Sequence, residues 1–194
     1  LELKPEITAP GGSIYSLNGV DKSGKAYETM SGTSMASPQV AGMAAVVAQY
    51  IRENGLEDST GLSARQLAQS LLMSTATPLR DKASGGQYFS LLNQGAGLGR
   101  VDMATTAESY ITVWNQNDGK VKAELGDDPN RTGTYYVEFE IHNLNGEAMT
   151  YELSADLFTQ DLFGDDYGNL YLDTWTRPLA SKVKFTSHGA ALEG

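Results

Sequence analysis

The stretch from Ser34 to Arg52 constrains this chain more than any other. Val40, Met43, Val46, Val47, Tyr50 and Ile51 supply bulk along a helical repeat, and Ala41, Gly42, Ala44, Ala45 and Ala48 fill the remaining faces. A helix that is apolar or small all round is a buried one, enclosed by other structure on every side. Residues 1–107 offer too few further elements to surround it, so neighbours are expected from outside these residues, as from a central parallel sheet. Pro38 lacks a backbone N–H and is tolerated in the first turn, which predicts a helix start within a few residues before it. Asn54-Gly55 reads as the C-terminal stop.

A second helix opens at Ser63-Ala64-Arg65-Gln66, a capping-box pattern, and carries Ala64, Leu67, Ala68, Leu71 and Leu72 on one face. Thr77-Pro78 closes it. Gly95-Ala96-Gly97-Leu98-Gly99 is a turn whose spacing is not that of a dinucleotide-binding loop. Beyond Glu108 the repeat becomes two. Val137, Phe139 and Ile141 alternate with Glu138, Glu140 and His142, and Met149 to Leu157 repeats the pattern after an Asn145-Gly146 turn. Ile111 to Trp114, Val121 to Leu125, Leu170 to Leu172 and Lys182 to Phe185 read as weaker strands. Residues 1–107 thus read as helical with their strands unplaced, and residues 108–194 as an all-β antiparallel sandwich that these residues need not complete.

Charge and composition exclude several function classes. The chain holds 24 acidic against 14 basic residues, a net charge of -10, whereas nucleic-acid binding needs a basic face. No apolar run reaches the ~20 residues that span a bilayer. Leu1 to Pro10 shows no basic region followed by an apolar stretch, so no signal peptide is expected there. Zero cysteines remove disulfides, zinc ribbons and a cysteine nucleophile. With His142 and His188 as the two histidines, an all-histidine metal site is excluded too.

Chemistry concentrates in Thr29-Met30-Ser31-Gly32-Thr33-Ser34-Met35-Ala36-Ser37-Pro38. A serine at a helix start points its hydroxyl off the helix end, and its N–H is unpaired within the helix and aligned with the positive end of the dipole. A nucleophile and an oxyanion-binding donor then share one residue, as acyl transfer requires. The plainer reading is an N-cap, since small hydroxyl residues commonly precede helices. Spacing alone does not choose among Ser31, Ser34 and Ser37.

Gly32-Thr33-Ser34-Met35-Ala36-Ser37-Pro38 followed by Val40-Ala41-Gly42 resembles the nucleophile motif of the subtilisin-like serine proteases. Lys4-Pro5-Glu6-Ile7-Thr8-Ala9-Pro10-Gly11 resembles the strand and turn that precede that motif. Gln94 to Asp102 is similar to the segment that closes the catalytic domain. The second half, at Tyr135 to Asn143, Thr150 to Thr159 and Arg177 to Phe185, more loosely resembles the fibronectin type III-like domain of lactocepin-type cell-envelope proteinases. Complement-cleaving peptidases of the same group share that layout.

The resemblance implies an α/β fold for residues 1–107, the C-terminal portion of a parallel-sheet domain, and a serine endopeptidase acting on protein or peptide substrates, with Ser34 as nucleophile, Gly32 and Thr33 supporting it, and secretion or attachment to the cell envelope. It also implies absences. The family's triad runs Asp, His, Ser, yet only 33 residues precede Ser34 and none is a histidine. The family's oxyanion asparagine is likewise upstream, and Asn18 has no matching motif around it. Gln39 stands where the family usually has histidine, a place at which cell-envelope relatives vary. His142 and His188 read as surface residues, and a serine without a base is a poor nucleophile. The chain alone is therefore expected to be inactive, its triad completed by an upstream part of the same polypeptide. No cofactor is needed for the chemistry. Relatives often bind structural calcium, but Asp161, Asp165, Asp166 and Asp173 match no defined cation loop and read as acidic turns. Asp127-Asp128-Pro129-Asn130 reads as a turn, and Arg80-Asp81-Lys82 as a solvated connector. The competing expectation is a non-catalytic adhesion or scaffold module in which Ser34 is only a cap.

Overall fold

The computed structural model describes residues 4–19, 24, 26–116, 118–172, 176–180, 182–187 and 190–191. A hairpin of β1 (Ile14–Leu17) and β2 (Tyr27–Met30) leads into α1 (Thr33–Glu53). There follow α2 (Leu56–Thr60), α3 (Ala64–Ser74), a hairpin of β3 (Arg80–Asp81) and β4 (Gln87–Tyr88), and the short α4 (Leu91–Gln94) and α5 (Val101–Ala104). The second half holds β5 (Ser109–Val113), β6 (Phe139–Asn143), β7 (Phe158–Thr159), β8 (Leu162–Gly164), β9 (Leu170–Leu172), β10 (Arg177–Pro178), β11 (Thr186–Ser187) and β12 (Ala190–Ala191).

The core lies where α1, α3 and β5 meet. Val47, Ile51, Leu67 and Leu71 are fully buried there, joined by Leu56, Leu72, Ala104 and Tyr110. Each such aliphatic side chain contributes roughly 1.5–3 kcal/mol on burial. The face expected for α3 is the face it buries, and its capping box forms: the Gln66 N–H donates to Ser63 Oγ at 3.4 Å while the Ser63 N–H donates to Gln66 Oε1 at 3.0 Å.

α1 ends as expected, with Asn54 as C-cap and Gly55 left-handed at φ 60. It departs from expectation at its start, while along its length it is left open, as the small number of neighbouring elements predicts. Pro38 is the sixth helical residue rather than a first-turn one. Its missing N–H leaves the Ser34 carbonyl without an i+4 donor, a loss tolerated because this tip is exposed and water reaches it. The described residues do not enclose the helix: Val47 and Ile51 are buried, whereas Ala41, Gly42 and Ala45 are exposed and Val46 is 51% exposed. Two open grooves run along the neighbouring face that carries Val40 and Ala44. One of about 810 Å³ lies between α1 and residues 5–11, and one of about 550 Å³ lies towards α3.

Every sheet among the described residues is a two-stranded antiparallel ladder. β6 pairs with β5, with Ile111 opposite Ile141, not with Met149 to Leu157 as the turn at Asn145-Gly146 suggested. Met149 to Leu157, Val121 to Leu125 and Lys182 to Phe185 form no strand, while Leu170–Leu172 does. Alternation says which face of a segment is apolar, but a strand also needs a neighbouring backbone to pair with. Arg80 and Lys82 are exposed, as a solvated connector requires, but Arg80–Asp81 is also a paired strand. Arg80 lies over the Tyr88 ring at 3.7 Å, and the Tyr88 hydroxyl donates to Asp156 Oδ2 at 2.7 Å, tying the β3–β4 hairpin to the second half.

Candidate active site

Three separated segments converge at the start of α1. The N–H of Thr8 donates to the Gly97 carbonyl at 2.8 Å and that of Gly99 to the Thr8 carbonyl at 2.9 Å, making a parallel bridge between Thr8 and Leu98. Leu98 also exchanges both backbone bonds with Thr77. The close approach demands glycine: a β-carbon on Gly97 would lie 2.3 Å from the Thr77 carbonyl oxygen, and one on Gly95 2.4 Å from that of Pro5. From this bridge the chain turns through Pro10 and Gly11 onto the helix start. The Gly11 carbonyl accepts the Gly32 N–H at 2.8 Å, and Gln39 Nε2 donates to the Pro10 carbonyl at 2.6 Å. The motif segments near residues 4–11, 32–38 and 94–102 are thus one assembly.

Gly32 is the N-cap of α1, and its carbonyl accepts the Met35 and Ala36 N–H groups at 3.0 and 3.4 Å. The capping position is therefore held by a residue without a side chain, and Ser34 is the second helical residue. Ser34 is exposed, as are Gly32 and Thr33. Its N–H has no carbonyl four residues back inside the helix, so it faces outward at the positive end of the dipole. Ser31 Oγ is engaged as acceptor of the Ser13 N–H at 2.8 Å, and Ser37 lies exposed on the next turn.

The other candidate groups are elsewhere. His142 lines a pocket with Leu56, Ser59 and Thr60, beyond the C-terminal end of the 21-residue α1. That end is about 30 Å from Ser34 at ~1.5 Å per residue. Nor is His142 the plain surface residue expected: it is half-buried, stacked on Tyr110 at 4.6 Å, and its Nε2 shares a 2.7 Å hydrogen bond with Thr112 Oγ1. His188 and Asp173 lie outside the described residues. Asn18 Nδ2 donates to Glu28 Oε2 at 2.8 Å, bracing the β1–β2 hairpin. Asp165 accepts the N–H groups of Tyr167 and Asn169, each at 2.9 Å, and the bonds to Asn169 hold its carboxyl below the usual range. Asp161 pairs with Arg177, and Asp128 accepts the Gly133 N–H at 2.6 Å within its turn. Among the described residues no group of three metal-ligating side chains gathers, and no helix is long and apolar enough to cross a membrane.

Residues 1–99 match the subtilase family along a stretch that contains the bridge, the turn and the helix start. The chain belongs to the subtilase family. It is 32% identical over 180 residues to a C5a peptidase of Streptococcus pyogenes, covering 90% of this chain and 14% of that protein. It is 31% identical over 171 residues to a PII-type proteinase of Lactococcus lactis subsp. cremoris and to one of Lacticaseibacillus paracasei, covering 84% of this chain and 9% of each. The chain thus spans a small part of the length of these relatives. Their likeness runs past the subtilase stretch and well into the second half.

Two residues of this subtilase assembly carry more than their sequence context signals. Gln94 is 3% exposed; its Oε1 accepts the Leu79 N–H at 2.6 Å and its Nε2 donates to the Phe89 carbonyl at 2.7 Å, fixing the turn that carries Gly95 and Gly97. Gln39 stands out in the sequence only as a departure from the family's histidine.

Proposed function

We propose that this chain is the nucleophile-bearing part of a subtilisin-like serine endopeptidase, followed by part of a fibronectin type III-like domain. The observation that carries the reading is the exposed Ser34 at the second position of α1, with an outward N–H and a bracing turn behind it. In the intact polypeptide Ser34 Oγ attacks the substrate carbonyl carbon, and an upstream histidine takes the hydroxyl proton. The Ser34 N–H, together with an upstream side-chain donor, holds the oxyanion. Collapse of the tetrahedral intermediate breaks the C–N bond, and the histidine returns the proton to the departing amine. Water then hydrolyses the acyl-enzyme by the same route.

Because His142 sits a helix length away, no histidine among the described residues stands beside Ser34, and we read the chain by itself as inactive. The uncovered apolar side of α1 supports the same view, since a central sheet built from upstream residues gives that side a partner. Substrates are proteins or peptides, as the named peptidase and proteinases suggest, and the site of action is the cell envelope or its exterior, as the resemblance to cell-envelope proteinases implies. No cofactor takes part in the chemistry.

Treating the intact parent polypeptide with a fluorophosphonate probe tests this reading. Modification of Ser34, abolished in Ser34→Ala, is expected. An intact polypeptide that remains unmodified at Ser34 overturns it in favour of an adhesion or scaffold module.

A further inference from the structure

We infer that Gln39 is a positioning residue for Ser34, an inference that rests on the serine-protease reading above. Pro38 deprives the Ser34 carbonyl of its helical donor, so the first turns of α1 hold themselves less firmly than an ordinary helix start. The side chain of the next residue compensates from outside the ladder. Gln39 Nε2 donates to the Pro10 carbonyl at 2.6 Å and lies 3.4 Å from the Met35 carbonyl, the residue after Ser34.

These bonds close a ring. Gln39 holds Pro10, the adjoining Gly11 carbonyl holds the Gly32 N–H at 2.8 Å, and Gly32 caps the helix that carries both Ser34 and Gln39. Ser13, two residues past Gly11, adds a second tie to Ser31 at 2.8 Å. Both acceptors of the Gln39 amide are carbonyls, so the position needs a donor. A carboxylate of the same shape repels them, and an apolar side chain gives up the tie to Pro10, whose exposed carbonyl then turns to water. The hydroxyl and N–H of Ser34 are aimed by this ring, and an error of about 1 Å in such aim costs on the order of 100-fold in rate.

The test uses the intact parent polypeptide, its Gln39→Met and Gln39→Glu variants, and a fluorophosphonate probe whose binding constant and maximal inactivation rate are measured separately. Rates are taken per folded molecule, well below the melting temperature, from acid to neutral pH. Expected is a fall of about 10- to 100-fold in the maximal rate for both variants, with the probe's binding constant little changed. The Gln39→Met deficit relative to wild type stays flat with pH. The Gln39→Glu deficit shrinks as the pH falls into the carboxyl range, because a protonated glutamate regains a donor. Equal maximal rates in wild type and both variants overturn the role of Gln39 while leaving the protease reading intact. Two deficits that share one pH profile overturn that role as well. A wild type that is never labelled at Ser34 overturns the protease reading and this inference together.

Discussion

The carbonyl oxygen of Gly32 stands 2.6 Å from where a β-carbon on Gly11 would lie, while the Gly32 N–H is held by the Gly11 carbonyl at 2.8 Å. The contact is backbone against backbone, so no side chain can swing away to make room. Gly11→Ala must push the turn off the helix start, at a cost of roughly 1–3 kcal/mol. Gly12 next to it has nothing within 4 Å of such a carbon. Denaturant unfolding of the intact protein should therefore show a clear loss for Gly11→Ala and a change within about 0.5 kcal/mol for Gly12→Ala. Similar losses in both would mean that the close approach is not what matters.

A second pairing fixes how the helical part meets the strands. Ser70, fully buried on α3, donates its hydroxyl to the Ile111 carbonyl at 2.6 Å, and Ser74 Oγ one turn later accepts the Ile111 N–H at 3.0 Å. These helix side chains satisfy both backbone groups of a residue in β5. Ser70→Ala leaves a buried carbonyl unpaired and should cost about 1–3 kcal/mol. Ser74→Ala should speed amide exchange at Ile111 with a smaller loss of stability. Unchanged exchange at Ile111 would show that the serine does not hold that N–H.

Legibility of this molecule in its sequence divides along physical lines. Helix periodicity, the Ser63–Gln66 capping box and the Asn54-Gly55 stop are local, and they stand where the residues place them. The convergence of residues 4–11, 32–38 and 94–102 rests on backbone carbonyls of Gly11, Thr8 and Gly97, which leave no periodic signature. Only resemblance to a family links those segments in the sequence. Strand alternation is the least reliable guide, since Met149 to Leu157 has the pattern without the ladder. Ser70 and Ser74 read as ordinary polar positions on a helix, because nothing local says that a strand edge will dock against them.

The β3–β4 hairpin meets the second half through Tyr88. Its hydroxyl donates to Asp156, its ring lies under Arg80 and 5.8 Å from that of Phe158, and its carbonyl accepts from the buried Thr176 hydroxyl at 2.9 Å. The bond to Asp156 is the main reason the phenol is pushed above its ordinary pKa, with desolvation adding to it. A raised pKa stabilises the fold fully below the unfolded tyrosine value, and that contribution is lost as the pH rises through the folded one. Wild type should therefore lose stability over Tyr88→Phe only on the alkaline side. Burial raises the Tyr110 phenol as well, so ultraviolet titration should show two late phenols, of which Tyr88→Phe removes one; an unchanged late amplitude in the variant would refute the assignment.

Glu6 carries the acid-side counterpart. Its carboxylate gathers Lys4, Lys120 at 3.5 Å and Lys122 at 4.0 Å, and so ties the segment behind the helix start to the strand-rich half. Partial burial works to raise its pKa, but the hydrogen bond and charge of Lys4, with the charge of Lys120, outweigh that and leave it lowered. A depressed carboxyl pKa contributes stability that is whole above the unfolded glutamate value and disappears as the pH falls through the folded one. The pairs are partly exposed and screened, so Glu6→Gln should cost no more than about 1 kcal/mol at neutral pH, and less in high salt. Below the ordinary glutamate range the two unfolding curves should converge. If the gap between them persists there, packing rather than charge is what Glu6 supplies.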